Sequence, residues 1–199
     1  MTPVLPRTYF GNIAYYSIYN RAEEVKFEAK EHFLKQSFRN RCTIASANTI
    51  QDLIVPVNRK QRREPIDTLE ISYAEQWQRI HHGTLISSYK VSPYFEHYAH
   101  YFSEFYDDFK PRTLWELNQK AHEIIVSILK LETKESETEL FEKSYPNDYR
   151  DQCQPKDQFQ LEFDHQTYIQ VFEDRHGFVK NLSILDLIFN EGPNAISFL

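Results

Sequence analysis

Apolar and polar positions change period several times along the chain, and each change predicts an element. Val4 and Leu5 lie between Pro3 and Pro6 and predict a short strand, which the prolines confine to a strand end or an edge. Asn12 predicts a helix cap, and Ile13, Tyr16 and Tyr19 then recur at helical spacing to about Tyr19. Val25, Phe27 and Ala29 alternate with Lys26, Glu28 and Lys30 as a half-buried strand does. Together these make a β-α-β unit. If its strands are parallel the crossover is right-handed, and ligands of such sheets lie beyond the strand carboxyl ends, which sets Arg7, Tyr9 and Lys35 near one rim. Arg41 to Ile44 and Leu53 to Val57 predict two further strands joined around Ala47 to Gln51. The basic run from Arg59 to Arg63 reads as a solvated loop and Thr68 to Ile71 as another short strand.

Helical spacing then takes over. Ala74 to Tyr89 carries Trp77, Ile80, His81, Thr84, Leu85 and Ser88 at i, i+3, i+4 offsets, and Pro93 stops it and opens the next helix. From Tyr94 to Phe109 the residues Phe95, Tyr98, Phe102, Phe105 and Phe109 form one continuous core stripe. Thr113 predicts the cap of a third helix with Leu114, Leu117, Ala121, Ile124, Ile125, Ile128 and Leu129 mostly on one face. Residues 132–166 turn polar and lose all period, which predicts a long surface loop or insertion. Tyr168 to Phe172 reads as a strand, Arg175 to Gly177 as a turn, and Ser183 to Asn190 as a short helix stopped at Gly192-Pro193. The expected fold is α/β: a small mixed sheet with an N-terminal β-α-β unit and a hairpin, packed against a layer of three longer helices in one domain spanning 1–199.

Composition narrows the chemistry. With 199 residues, 41% of them hydrophobic and 26% charged, the chain supports one well-buried core. Its four glycines are too scattered to write a GxGxxG turn or a GxxxxGK[ST] phosphate loop, which disfavours dinucleotide and P-loop chemistry. A formal charge of −6 argues against general nucleic-acid affinity, so any anion site must be a local concentration of Arg and Lys. Cys42 and Cys153 form no metal or disulfide spacing, and both are expected as free thiols. No apolar run reaches the ~20 residues of a membrane span. Thr2 to Phe10 lacks the order of a secretory signal, so a soluble cytoplasmic protein is expected.

Several segments in order resemble the WbqC-like protein family. They are Lys35 with Asn40-Arg41 and Ile44; Leu53 to Val57; Trp77-x-x-x-His81; Tyr89 followed by Ser92-Pro93-Tyr94-Phe95; Leu117-Asn118; Tyr168 to Phe172; and Ser183 to Pro193. The likeness covers nearly the whole chain. Two departures stand out. Many members open with His-Gln-Pro before a Tyr, where this chain has Leu5-Pro6-Arg7-Thr8-Tyr9, and the family's Asn-Gly between the hairpin strands is here Asn48-Thr49. A β-branched residue resists the positive φ of a type I′ turn, so a longer or differently shaped loop is expected. The resemblance implies a role in bacterial surface-polysaccharide (O-antigen) or other glycan assembly, without naming a reaction.

Lys35, Arg39, Asn40 and Arg41 are the candidate substrate grip. On a helix Lys35 and Arg39 share a face; on a strand Arg39, Arg41 and Thr43 do. Either arrangement can hold a phosphate or carboxylate, as in a nucleotide sugar or acyl donor, and the competing reading is an ion-pair network with Glu28 and Glu31. His81 is the candidate general base, against a half-buried histidine bonded to backbone or Tyr. Asp186 and Asn190 share a helical face in the family's closing segment and can bind a sugar hydroxyl or orient Arg41; Ser183 and Asp186 equally have capping-box spacing. Tyr9 or Trp77 is expected to stack on a ring, and Tyr89 completes the candidate contacts. Glu96, His100 and Glu104 fall at i, i+4, i+8, but without a second ligand cluster they read as a solvated face, so no metal is expected and no cofactor is named. The functional expectation is acyl or aminoacyl transfer onto an activated sugar; the alternative is a non-catalytic protein that recognises a glycan intermediate or a partner enzyme.

Overall fold

The structure, a computed structural model, describes residues 1–61, 63–151 and 166–199. Its elements in chain order are β1 (Val4–Leu5), α1 (Ile13–Arg21), β2 (Glu24–Phe27), β3 (Arg41–Ala45), β4 (Ile50–Ile54), α2 (Trp77–Tyr89), α3 (Phe95–Ser103), α4 (Leu114–Leu129), β5 (Lys134–Glu137), α5 (Glu173–His176) and α6 (Ile184–Glu191). The fold is α/β as expected. Its strands form a parallel sheet in the order β1-β2-β5 and a separate antiparallel pair, β3-β4.

The β-α-β unit is built as its pattern indicates. Asn12 caps α1 by accepting the Tyr15 amide at 2.9 Å, and β1 pairs with β2 in parallel, Val4 opposite Lys26. β1 is not a free edge, because Val4 also exchanges backbone bonds with Asn147 and Tyr149. Phe10, just beyond β1, is fully buried at φ 44° among Phe102, Phe105 and Tyr106. A bulky residue holds that left-handed conformation only where its surroundings over-determine it.

Five local expectations change. The second hairpin strand is Ile50–Ile54 rather than Leu53 to Val57, because it pairs residue for residue with Arg41–Ala45 from a four-residue turn and that partner strand begins only at Arg41. Within the polar stretch, Lys134–Glu137 forms β5, in register with Glu24–Phe27, although its own residues are polar throughout. Its charges suit a sheet edge, where they discourage further pairing. Gln154, Pro155, Lys156, Cys153 and Arg62 lie outside the described residues. Thr68 to Ile71 is not a strand: Ile66–Thr68 forms a 3₁₀ turn, and only the isolated bridges Glu70–Thr113 and Val57–Ile71 follow. Tyr168 to Phe172 is irregular and leads into α5: the Gln170 side chain bonds Val179 through both amide atoms, and among the described residues no strand pairs with the segment. Ile80 is 59% exposed; the buried face of α2 is Trp77, His81, Leu85, Ser88 and Tyr89.

The aromatic helix behaves as read. Phe95, Tyr98, Phe102 and Phe105 are buried, with a π-helical stretch over Glu104–Asp108 turning Tyr106 into the core as well. Glu96, His100 and Glu104 are exposed, and among the described residues no group of three or more His, Cys, Asp or Glu is placed to hold a metal. Thr113 and Glu116 make a full capping box on α4. Thr113→Ala should therefore cost about 1 kcal/mol in urea unfolding; a change below ~0.3 kcal/mol would mean the box adds nothing beyond the packing of α4. Among the described residues no helix is long and apolar enough to cross a membrane.

Candidate functional site

The segment from Lys35 to Arg41 is neither helix nor strand until Arg41. It is a turn, with Gln36 at φ 56° and the Ser37 hydroxyl donating to Leu34 O at 2.7 Å. Backbone bonds pin it: Tyr9 N donates to Phe38 O at 2.9 Å and Val55 N to Asn40 O at 2.8 Å. Asn118, buried on α4, donates to both Arg39 O at 2.7 Å and Arg7 O at 3.2 Å, tying the turn to the loop after β1. Its pairing with Leu117 in the resemblance was the one sequence signal for it.

This turn splits the expected grip. Arg39 points inward, 1% exposed, and donates from Nε and Nη2 to both oxygens of buried Glu31, each at 2.6 Å. It shares no face with Arg41 or Lys35. Arg41 opens β3 with its side chain outward, donating to Asp52 at 2.9 Å, and Thr43 on the same face donates to the other Asp52 oxygen at 2.7 Å. Its Nε is buried with no protein partner. Lys35 is exposed.

Arg41, Lys35 and Asn40 nevertheless come together, around a cleft of about 430 Å³ also lined by Phe33, Gln36, Ile54, Val55, Pro56, Val57 and Glu75. Asn40 is 6% exposed; its Nδ2 donates to Val55 O at 2.8 Å while Oδ1 has no partner. Glu75 stands in the irregular approach to α2, where no periodicity or motif could have marked it.

Tyr9, Trp77 and His81 lie behind this cleft. His81 is 4% exposed; its Nδ1 is 3.0 Å from Tyr9 Oη, which is 2.6 Å from Tyr106 Oη. Burial pushes its pKa down to about 4, against a smaller opposing effect of a hydrogen bond to the Ile54 backbone. Ile54 is the residue opposite Arg41 in the hairpin and itself lines the cleft, so His81 props the cleft wall from inside. Trp77 is 3% exposed, its ring 5.3 Å from that of His81 and its Nε1 without a protein partner. Tyr9 is fully buried, so neither ring offers a face to the solvent side. Arg7 is likewise no rim residue: it is 5% exposed, over the rings of Phe27 and Trp115 at 4.1 and 5.1 Å.

Asp186 and Asn190 form another buried group. Tyr89 and Tyr168 donate to the two Asp186 oxygens at 2.9 and 2.6 Å, and Asn190 Nδ2 donates to the Asp186 carbonyl at 2.8 Å. Burial raises the Asp186 pKa to about 6, the tyrosine bonds restraining it. The capping box is half made: Ser183 Oγ accepts the Leu185 amide, but the Ser183 amide bonds Thr43 O, leaving Asp186 free for the tyrosines. Asp186 lies on the inner side of the hairpin, with Cys42, and Arg41 on the outer, so the acid does not orient Arg41.

Cys42 is a buried free thiol, raised far above its ordinary pKa by burial and so inert as a nucleophile. A separate cluster joins His122 to Glu135 at 2.8 Å, Tyr19 to Glu135 at 2.6 Å, and Arg7 to Glu137 at 3.3 Å. Burial opposes the Glu135 charge, but the bonds from His122 and Tyr19 hold its pKa down to about 2.

No curated protein and no solved structure matches this chain. The model of the WbqC-like protein family matches residues 7–154 and 154–198, taking in the cleft turn, the Trp77–His81 helix and the Asp186 helix alike. The chain belongs to the WbqC-like protein family.

Proposed function

We propose that the cleft between the Lys35 turn and the hairpin binds the anionic end of a small molecule, a nucleotide sugar or an acyl donor. On this reading the protein is a cytoplasmic group-transfer enzyme of bacterial surface-polysaccharide or glycan biosynthesis, moving an acyl or aminoacyl group onto an activated sugar. The observation that carries the anion site is the cleft wall: Lys35 and Arg41 both line it, and although Arg41 Nη1 is held by Asp52, its Nε is buried and unpartnered. An N–H buried without a partner is costly, and a phosphate or carboxylate oxygen relieves that cost with a charge-assisted bond. Family membership supports the polysaccharide setting through the gene context implied by the resemblance.

In this reading His81 and Asp186 position the walls and do not touch substrate, and Glu75 is the carboxylate open to accept a proton from an attacking group. The same burial of His81 and Asp186 favours one rival, a binding protein that holds a glycan intermediate without turning it over. A thermal-shift and calorimetry panel of uridine diphosphate sugars and acetyl-coenzyme A tests the site. Arg41→Ala should weaken the tightest ligand about tenfold or more, as loss of a charged hydrogen bond does. Unchanged affinity in that variant, or no anion that binds, overturns the site; binding with no turnover for any donor–acceptor pair leaves the rival.

A further inference from the structure

The cleft is not lined by cations alone. Glu75 shares it with Lys35 and Arg41, and among the described residues neither Lys35 nor Glu75 has an ion-pair partner. Asn40 adds a second acceptor. Val55 O can only accept, so the Asn40 amide is oriented by that bond, and the atom left over is Oδ1, buried and unpaired. A ligand that is purely anionic would satisfy Lys35 and the Arg41 Nε while bringing negative charge towards Glu75 and stranding the Asn40 acceptor. A ligand that also carries a protonated amine satisfies both sets. The remaining lining, Phe33, Ile54, Pro56 and Val57, offers apolar surface to a carbon frame between the two charges. A volume of about 430 Å³ suits a molecule of monosaccharide-phosphate size.

We infer that the cleft recognises an amino sugar phosphate, with Lys35 and Arg41 on the phosphate and Glu75 and the Asn40 Oδ1 on the ammonium group. This rests on the anion site proposed above and takes its ligand to be the sugar that receives the transferred group rather than the donor. Recognition of the amine favours that ligand, because an analogue without it leaves the buried Asn40 Oδ1 unpaired and Glu75 to water.

Isothermal titration at pH 7 with the matched probes glucosamine 6-phosphate and glucose 6-phosphate tests it on the wild-type protein, Glu75→Gln and Arg41→Ala. The amine-bearing probe should bind the wild type about tenfold more tightly. Glu75→Gln, at an exposed position, should erase most of that preference, and Arg41→Ala should weaken both probes while keeping it. Equal affinity for the two probes, or a preference that survives Glu75→Gln, overturns the amine site while phosphate binding sensitive to Arg41 leaves the anion site standing. If neither probe binds, and Arg41→Ala also leaves the nucleotide and acyl panel unchanged, both readings fall together.

Discussion

Arg39→Met should cost about 3–5 kcal/mol in chemical unfolding, the penalty of leaving a buried carboxylate without its cation. The pair it breaks is bidentate, with both Arg39–Glu31 bonds at 2.6 Å and the two residues 1% and 6% exposed. Arg150 lies close enough to Glu31 to feel its charge and softens the loss without replacing the bonds. The double variant Glu31→Gln with Arg39→Met should recover more than ~1 kcal/mol of the loss, because it removes the stranded charge rather than one member of the pair. A single variant that loses less than ~1 kcal/mol would contradict the buried pair and return Arg39 to the anion grip that its sequence neighbours suggest. The difference matters for function: it separates the cation that builds the cleft wall from the two that face into the cleft.

The pH profile of stability should report two buried groups, His81 and Asp186, with opposite signs. His81 has an ordinary pKa of 6.5 and is held down to about 4 in the fold, so between those values the unfolded chain binds the extra proton. Its contribution is complete above pH 6.5 and is lost, to roughly 3 kcal/mol, as pH falls to 4. Asp186 is raised from 3.8 to about 6, so in that window the folded protein holds the extra proton. Stability from Asp186 is greatest at low pH and declines, again by roughly 3 kcal/mol, as pH rises from 3.8 to 6. The two largely offset in the wild type. His122, also lowered by burial despite Glu135, works in the same direction as His81 and leaves a net loss on acidification. His81→Gln should flatten or reverse the loss between pH 6.5 and 4, and Asp186→Asn should steepen it. Urea midpoints from pH 4 to 7 measure both, and slopes identical to wild type in the two variants would mean that neither group titrates as the fold requires.

These assignments bear on mechanism. A histidine kept neutral by burial, hydrogen-bonded to Tyr9 and backed by Ile54, is suited to setting the position of β4. A general base must reach the proton it takes, and the carboxylate that lines the cleft is Glu75. If the amine of an amino sugar is the nucleophile, the residue that recognises it is also the one placed to relieve it of a proton.

Periodicity and caps were enough for most of the helical scaffold. The stripe from Phe95 to Phe109, the cap at Asn12 and the box at Thr113 are local signals, written within one turn of the residues that use them, and α3, α1 and α4 form where they predict. The family was legible too, because its segments keep their order along the chain. β5 was not, since a charged Lys-Glu-Ser-Glu run becomes a strand only when β2 offers it a parallel partner more than a hundred residues earlier in the chain. The hairpin turn lies between these cases. Asn48-Thr49 argued against a type I′ turn, and Ser46 to Thr49 closes without any residue at positive φ.

For the site, the sequence by itself marked a candidate stretch and showed that its charge is local, a cation-rich run in an acidic chain. It could not determine which cation does which. Lys35, Arg39 and Arg41 are chemically alike on paper, and only the left-handed turn at Gln36, the clamp from Asn118 and the depth of Glu31 send Arg39 into the core while leaving Arg41 and Lys35 on the cleft. The burial of His81 and Asp186 and their tyrosine partners were not visible in the sequence. Burial and hydrogen bonding depend on what the rest of the chain packs around a side chain, and that is a property of the tertiary structure alone.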